Sequence, residues 1–326
     1  MSGELNTENC TSISPECPVE ETIYGYYPSL SANAWGAGFF GLCFFVNAYL
    51  GWRYRLWTYM LAMCLATATS SAGYGGRIIM HDNPWDEPGF MLQIITLTFS
   101  PAFNSAAIYL TLKHVALRFG SFASRIPPRF YPWGFISADF VALLLQSAGG
   151  GIAASADDDL DLQEVGDGLM IAGVVFQVVT LAVFGAMIID YTYRRYKSPE
   201  PLSRKATETW TDTKFRIFAA SLITLYTAIL IRCVYRIAEL AGGWESSIMQ
   251  NEALFIGLDT VMMTICTGLQ TFVHPGIFFS AMTEREEDLS HGAGGFKGGE
   301  MSMSDSDRDR DSDSSSPDGQ RRGGVV

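Results

Sequence analysis

Seven long apolar blocks are the feature that most constrains how this 326-residue chain can fold. They cover residues 29–52, 57–80, 89–112, 132–155, 168–190, 216–240 and 252–275. Each is close to the ~20 residues that an α-helix needs to cross the hydrocarbon core of a bilayer. A membrane β-barrel would instead show alternating segments of about 10 residues. The blocks therefore predict an all-α, polytopic membrane protein with seven transmembrane helices.

Polar residues concentrate at the two ends of the chain and predict three regions. An acidic N-terminal tail, 1–28, precedes the seven-helix domain, 29–275, and a Ser/Asp-rich tail, 276–326, follows it. The second tail has almost no large apolar side chains and cannot bury enough surface to fold, so we expect it to be disordered. Its Ser-Asp repeats resemble acidophilic kinase targets, which makes cytoplasmic kinases possible partners.

Basic residues fall on alternate loops and predict the orientation. The first, third and fifth loops carry Lys and Arg, including Arg53, Arg118 and Arg194. The N-terminal tail and the second, fourth and sixth loops carry none and hold acids instead, as in "ADDDLDLQEVGD". Because Lys and Arg accumulate on the cytoplasmic side, we expect the N-terminus outside and the C-terminus in the cytoplasm.

Two features of the N-terminal tail fit an exterior position. Asn9 begins the triplet "NCT", a glycosylation sequon. Cys10 and Cys17 can form a disulfide in an oxidising space. Two unpaired thiols in a flexible tail are the alternative, and the sequence leaves both open.

Charged residues recur in the outer half of three apolar blocks. Steps of four and three place Arg232, Arg236 and Glu239 on one helical face. Arg77 and Asp259 lie at a similar depth, so the five residues predict a charged layer. One interpretation is that they pair with one another and fix the helix register. The other is that they line a cavity for an amphiphile, with the carboxylates holding an ammonium group and the arginines a phosphate.

Polar residues also occur deeper in the fourth block. Asp139 lies in its inner half, and Gln146 follows two turns later on the same face. Interhelical hydrogen bonding is one role for them, and a polar track between the leaflets is another. The glycines Gly149–Gly151 close the block and indicate either close helix packing or a hinge.

Several functional classes lack their sequence signals. No spacing of His with carboxylates resembles a metal site, and no Gly-rich phosphate loop or nucleophile elbow is present. We therefore expect neither an enzyme nor a cofactor. The net charge of −12 comes largely from the tails and outer loops, so no nucleic-acid partner is expected.

Long motifs resemble those of the fungal lipid-translocating exporter family, the group named for aminocholesterol resistance and sphingoid long-chain-base export. The motifs span about residues 24–280 and include "YGYYPSLSANAWGAGFFG", "YGGRI", "QIITLTFSPAFNSAAIYLTL", "DFVALLLQSAGGGIAASADDD", "RCVYRIAELAGGWESSIMQNEALFIGLD" and "VHPG". The resemblance implies seven spans, an exterior N-terminus and a role in sphingoid-base movement or resistance to membrane-active compounds. Its motif positions coincide with Gln146, Gly149–Gly151, Arg232, Tyr235, Arg236, Glu239, Asn251, Glu252 and Asp259.

These observations support two functional hypotheses. The first is export of amphiphilic lipids, with sphingoid bases as cargo, at the plasma membrane or at the endoplasmic reticulum or another endomembrane. The second is a seven-helix receptor-like sensor of lipid or stress without transport activity. The exterior N-terminus and Ser-rich tail match receptor topology, but topology by itself does not define function.

The predicted odd number of crossings can be tested directly. Because seven helices place the two termini on opposite sides of the bilayer, tags at Met1 and Val326 should differ in their access to protease in sealed cells. The N-terminal tag should be digested and the C-terminal tag protected. Digestion of both tags, or of neither, would contradict the topology.

Overall fold

The structure of the chain, a computed structural model, describes residues 12–15, 17–19, 22, 24–119, 130–155, 160–198, 203–243, 246–279 and 282. Asn9, Cys10 and the Ser/Asp-rich tail beyond residue 282 lie outside these residues, and so do the expected kinase sites. Cys17 is disulfide-bonded, but its pairing with Cys10 stays a prediction.

A helix covers each of the seven apolar blocks, and shorter helices join or follow them. The seven are α1 (Leu30–Arg53), α2 (Trp57–Asp82), α3 (Glu87–Phe119), α4 (Tyr131–Ala154), α5 (Leu160–Lys197), α7 (Thr213–Ala241) and a composite seventh helix. The last consists of α8 (Glu252–Leu254), a π-helical segment (Phe255–Thr260) and α9 (Val261–Phe272). The short helices are α6 (Arg204–Thr211) and α10 (Pro275–Phe278). The helical class is confirmed.

Six of these helices, all except α2, are long and apolar enough to cross a membrane. The chain is therefore a multi-pass membrane protein. Helix α2 has 26 residues, about 39 Å at 1.5 Å per residue, but the small and polar residues of "ATATSSAGYGGR" reduce its hydropathy. It packs along both α1 and α3. A seventh crossing by α2 and the orientation of the termini stay predictions.

The bundle is ordered by contacts between helices that follow one another in the chain. Helices α1 to α5 pack in succession, α7 packs on α5 and α9, and α9 returns to α1. Helix α3 also contacts α7 and α9, and half of its most apolar window is buried. We call the end that carries Tyr24 and the α2–α3 loop the upper end, and the opposite end, with Arg53 and Lys197, the lower end.

Exposed aromatic side chains cluster at the lower end of the bundle. Trp52, Trp57, Trp133 and Tyr196 are all exposed there. Their amphipathic rings suit the headgroup level of a bilayer, where Trp and Tyr are enriched. The lower ends of several helices therefore have the side chains expected at a membrane interface.

Glycines bring α4 and α5 into backbone contact near the upper end. A Cβ added at Gly149 would lie 2.6 Å from the carbonyl oxygen of Gly166 and from the amide nitrogen of Met170. One added at Gly173 would lie 2.9 Å from the carbonyl oxygen of Ala142. Close packing, one of the two expectations for the glycines that end the fourth block, therefore accounts for Gly149.

This contact predicts different effects for two neighbouring glycines. Gly149→Ala should lower the unfolding temperature in detergent, because separating α4 from α5 to fit the methyl group costs about 1–3 kcal/mol. Gly151→Ala is the matched control, since a Cβ there meets nothing within 4 Å. It should be neutral, or stabilise by up to ~1 kcal/mol through helix propensity. Equal melting temperatures for the two variants would refute the contact.

Candidate functional site

Four of the predicted charged residues form one buried cluster in the upper half of the bundle. Arg232 Nε lies 2.9 Å from Asp259 Oδ1, and these two side chains are 2% and 0% exposed. Arg236 Nη1 lies 2.5 Å from Glu239 Oε2, and Arg236 Nε lies 3.9 Å from Asp259 Oδ1. We call Arg232, Arg236, Glu239 and Asp259 the charge cluster. Two guanidinium groups and two carboxylates balance its net charge.

Arg232 also binds the backbone of α3, at a position that a proline prepares. Its Nη2 donates a 2.7 Å hydrogen bond to the carbonyl oxygen of Leu97. Pro101 lies four residues further along the same helix. Proline has no N–H, so the carbonyl four residues before it loses its usual helical donor. Arg232 supplies that missing donor from a neighbouring helix.

A π-helical segment carries Asp259 into the charge cluster. Residues Phe255–Thr260 are π-helical, and Asn251 caps the preceding turn by accepting from the amides of Ala253 and Leu254. A π turn takes in more residues than an α turn and changes the face on which later side chains lie. Asp259, within this segment, is fully buried against α7. Periodicity in the sequence indicates a helix here but not its π form.

Arg77, the fifth predicted member, is buried apart from the ion pairs. It is 0% exposed, and its guanidinium group lies 4.0 Å from the ring centroid of Phe255 and 5.2 Å from that of Tyr24. Within the described part of the chain, no carboxylate lies within ion-pair distance of it. The pairing interpretation therefore does not extend to Arg77. Aromatic faces attract the cation instead.

Neutral hydrogen-bond acceptors complete the surroundings of Arg77. Its Nη2 donates to Tyr26 Oη at 3.1 Å and its Nη1 donates to Gln93 Oε1 at 3.4 Å. The amide nitrogen of Gln93 in turn donates to Tyr24 Oη. Burial raises the pKa of Tyr24 to about 12, against the opposing effect of Arg77, and also raises the pKa of Tyr26. Both phenols are therefore neutral and act as acceptors for this network.

A cavity with both polar and apolar lining residues lies beside the charge cluster and below the N-terminal segment. Helices α3, α4, α5 and α7 surround it, with Tyr24 and Met249 at its top. Its volume is about 40 Å³, room for a few water molecules at roughly 10–15 Å³ each. The polar residues on its wall are Tyr24, Thr98, Gln146, Ser147, Gln177, Arg232 and Arg236. We call this space the upper cavity.

The ionised groups on the wall of the upper cavity are cations. Arg232 and Arg236 line it, whereas Glu239 and Asp259 are not among its lining residues. Gln146 joins the wall through Nε2, which donates to the carbonyl oxygen of Ala142 at 3.1 Å and to Gln177 Oε1 at 3.3 Å. Hydroxyl and phosphate oxygens are the natural partners of such donors. The expected carboxylate contact to an ammonium group is not made at this wall.

Asp139 lies outside both the charge cluster and the upper cavity. It is 3% exposed, and in the described residues neither carboxyl oxygen has a hydrogen-bond partner. The hydroxyl group of Tyr109 lies close to this carboxyl group and interacts with it electrostatically. Gln146 lines the upper cavity and Asp139 does not, so the polar track between them stays a prediction.

Several residues of the site were not predicted from the sequence. Tyr24, Tyr26 and Gln93 surround Arg77, and the carbonyl group of Leu97 binds Arg232. The contact of Arg232 with Leu97 does have a signal in the sequence, because Pro101 lies four residues after Leu97 in a predicted span and leaves that carbonyl group without a helical donor. Among the described residues, no group of three or more His, Cys, Asp or Glu side chains could hold a metal ion.

The fold and site together define a multi-pass helical membrane protein with a buried charge cluster and a small cavity beside it. Residues 63–282 match the family model described as RTA1 like protein. The chain belongs to this family, and the resemblance seen in its motifs is confirmed.

Three curated relatives come from Saccharomyces cerevisiae. Sphingoid long-chain base transporter RSB1 of strain Lalvin EC1118 / Prise de mousse is 31% identical over 252 residues, which are 69% of this chain and 66% of that protein. Protoporphyrin uptake protein 1 of strain ATCC 204508 / S288c is 30% identical over 201 residues, covering 60% and 61% of the two chains. Protein RTM1 is 27% identical over 198 residues, covering 59% and 60%.

These matches span slightly less than two thirds of the length of the relatives. No solved structure matches the chain.

The charge cluster predicts a large stability difference between two acidic residues. Asp259→Asn should destabilise the protein by about 3–5 kcal/mol, because it leaves buried guanidinium groups without compensation. The control is Asp190→Asn, which removes a 3.1 Å pair with Arg194 between exposed side chains and should cost about 0–1 kcal/mol. Unfolding in detergent, followed by circular dichroism, measures both. Similar losses in the two variants would show that the cluster is not a stabilising unit.

Proposed function

We propose that the protein translocates amphiphilic lipids between the leaflets of its membrane. The observation that carries this proposal is the upper cavity, a space inside the helical bundle whose wall includes the guanidinium groups of Arg232 and Arg236. Ionisable groups are expensive at membrane depth and usually mark a pathway or binding site. A lipid head group needs such a polar place to pass the hydrocarbon region.

Sphingoid long-chain bases are the cargo that we propose first. The relative with the highest identity reported above is named as a transporter of these bases, and another is named for uptake of protoporphyrin. Both compounds are amphiphiles with a large apolar part and a few polar groups. For a sphingoid base, the guanidinium and amide donors of the cavity suit the hydroxyl groups of the head. Its amine needs an acceptor elsewhere on the path.

The cavity must widen before it can receive a head group. Its volume of about 40 Å³ accommodates only a few water molecules. Translocation therefore requires a second conformation, in which helices around the cavity separate. Export toward the outer leaflet would lower the concentration of membrane-active amphiphiles inside the cell, and we propose resistance to such compounds as its consequence. Seven crossings, an exterior N-terminus and a plasma-membrane location belong to the same proposal.

Purified protein in vesicles, with a sphingoid base labelled at its chain end, tests this function. We expect leaflet redistribution faster than in protein-free vesicles. Gln146→Met should slow it about fivefold, since one hydrogen bond to the cargo is worth about 1 kcal/mol. The control is Leu144→Met, because Leu144 is exposed on the outer surface of the same helix.

Three results would contradict the proposal or a part of it. Redistribution no faster than in protein-free vesicles would remove the translocase function. Saturable binding of the base without redistribution would instead favour the receptor-like sensor. If Gln146→Met and Leu144→Met behave alike, the upper cavity is not the path.

A further inference from the structure

Among the residues that the structure describes, three acidic side chains are buried at membrane depth, and one of the three lacks a cation. Asp259 and Glu239 contact Arg232 and Arg236, respectively. Asp139 has no basic side chain within ion-pair distance and no hydrogen-bond partner in the described parts of the chain. The charge cluster therefore stabilises ionised carboxylates, whereas the site around Asp139 does not.

Two weakly acidic groups lie near Asp139 among the described residues. Tyr109 of α3 faces it, and Cys233 of α7 lies within electrostatic range of it. Both belong to an apolar cluster to which α5 contributes Leu181 and Phe184. Arg232, the residue before Cys233 on α7, is engaged by Asp259 and by the carbonyl oxygen of Leu97.

An isolated carboxylate in such a place is far more costly than a protonated carboxyl group. Asp139 therefore holds a proton in this conformation. Asp139 loses this proton only when water or a cation reaches the side chain. Its carboxyl group is neutral while the surrounding helices are closed and becomes charged when they separate. Asp139 therefore binds a proton reversibly, and its charge depends on the conformation of the bundle.

Asp139 lies below the floor of the upper cavity. Gln146, which lines the cavity, is seven residues further along α4, about 10 Å higher on the same face. Cys233 lines the cavity as well and lies within electrostatic range of Asp139. Widening of the cavity toward Tyr109 would expose the carboxyl group to whatever occupies the cavity.

We propose that Asp139 binds a proton and the ammonium group of a cationic amphiphile alternately, and thereby couples cargo export to a proton gradient. This inference rests on the proposed translocase function. When the cargo arrives from the lower side, the O–H bond of Asp139 breaks, the proton passes to water on the lower side, and the carboxylate pairs with the ammonium group. A proton entering from the upper side re-forms the O–H bond and releases the cargo. One positive charge moves in each direction.

Vesicles with a pH difference of one unit across the membrane test the coupling. A one-for-one exchange should shift the steady-state distribution of a chain-labelled, N-trimethylated sphingoid base, which cannot cross as a free amine, about tenfold toward the acidic side. A pH-sensitive dye in the lumen should report proton movement opposite to the cargo. An N-acetylated base, which has no ammonium group, should show neither effect.

Substitutions at Asp139 separate coupling from folding. Asp139→Asn is nearly isosteric with the protonated carboxyl group, so we expect a folded protein whose residual redistribution no longer responds to the gradient. Asp139→Glu should restore part of the response. Asp190→Asn, at an exposed position on α5, is the matched control and should keep the wild-type response.

The outcomes distinguish this inference from the function on which it rests. If the wild-type protein redistributes the base with the same steady state at every gradient, the coupling is wrong and the translocase function stands. A gradient response that persists in Asp139→Asn also overturns the role of Asp139. If the wild-type protein moves no base at all, both proposals fail.

Discussion

The guanidinium group of Arg232 is held between a backbone carbonyl of α3 and a carboxylate of the π-helical segment, and the upper half of the bundle depends on these two contacts. Each contact satisfies a group that would be costly to leave alone in an apolar medium. Pro101 leaves the carbonyl oxygen of Leu97 without its helical donor. Asp259 needs a cation. One side chain meets both needs and joins three parts of the chain at the depth where the upper cavity begins.

Among the described residues of this bundle, buried charge is stabilised in two different ways. Ion pairs serve Arg232, Arg236 and their carboxylates, at distances from 2.5 to 3.9 Å. Aromatic faces and neutral oxygens serve Arg77, in contact with the N-terminal segment through Tyr24 and Tyr26. Asp139 has neither kind of support. The arginines and their partners therefore maintain the fold, whereas Asp139 is able to change its charge. For this reason a structural role and a functional role for the buried ionisable residues do not exclude each other.

Much of the fold could be predicted from the sequence, because helix length and hydropathy follow directly from bilayer thickness. The spacing of Arg232, Arg236 and Glu239 likewise predicted a shared face, and the structure confirms their proximity. The contacts of Arg77 could not be predicted, since they depend on how Tyr24 and Phe255 fold back from distant parts of the chain. The π form of Phe255–Thr260 was equally inaccessible. It is stabilised by tertiary contacts, and no local propensity distinguishes it from an α-helix.

The glycine contacts between α4 and α5 limit how the protein can change shape. Where Gly149 meets Gly166 the two backbones touch, and no side chain lies between them to be compressed or rearranged. The pair is therefore difficult to separate, because any change between the two helices would have to break backbone contacts. Around the upper cavity, the other contacts of the pair are those of α4 with α3 and of α5 with α7. Gln146 and Gln177 lie on the pair, whereas Arg232 and Arg236 lie on α7. If the cavity widens as the proposed function requires, we expect these two helix interfaces to yield rather than the glycine contact.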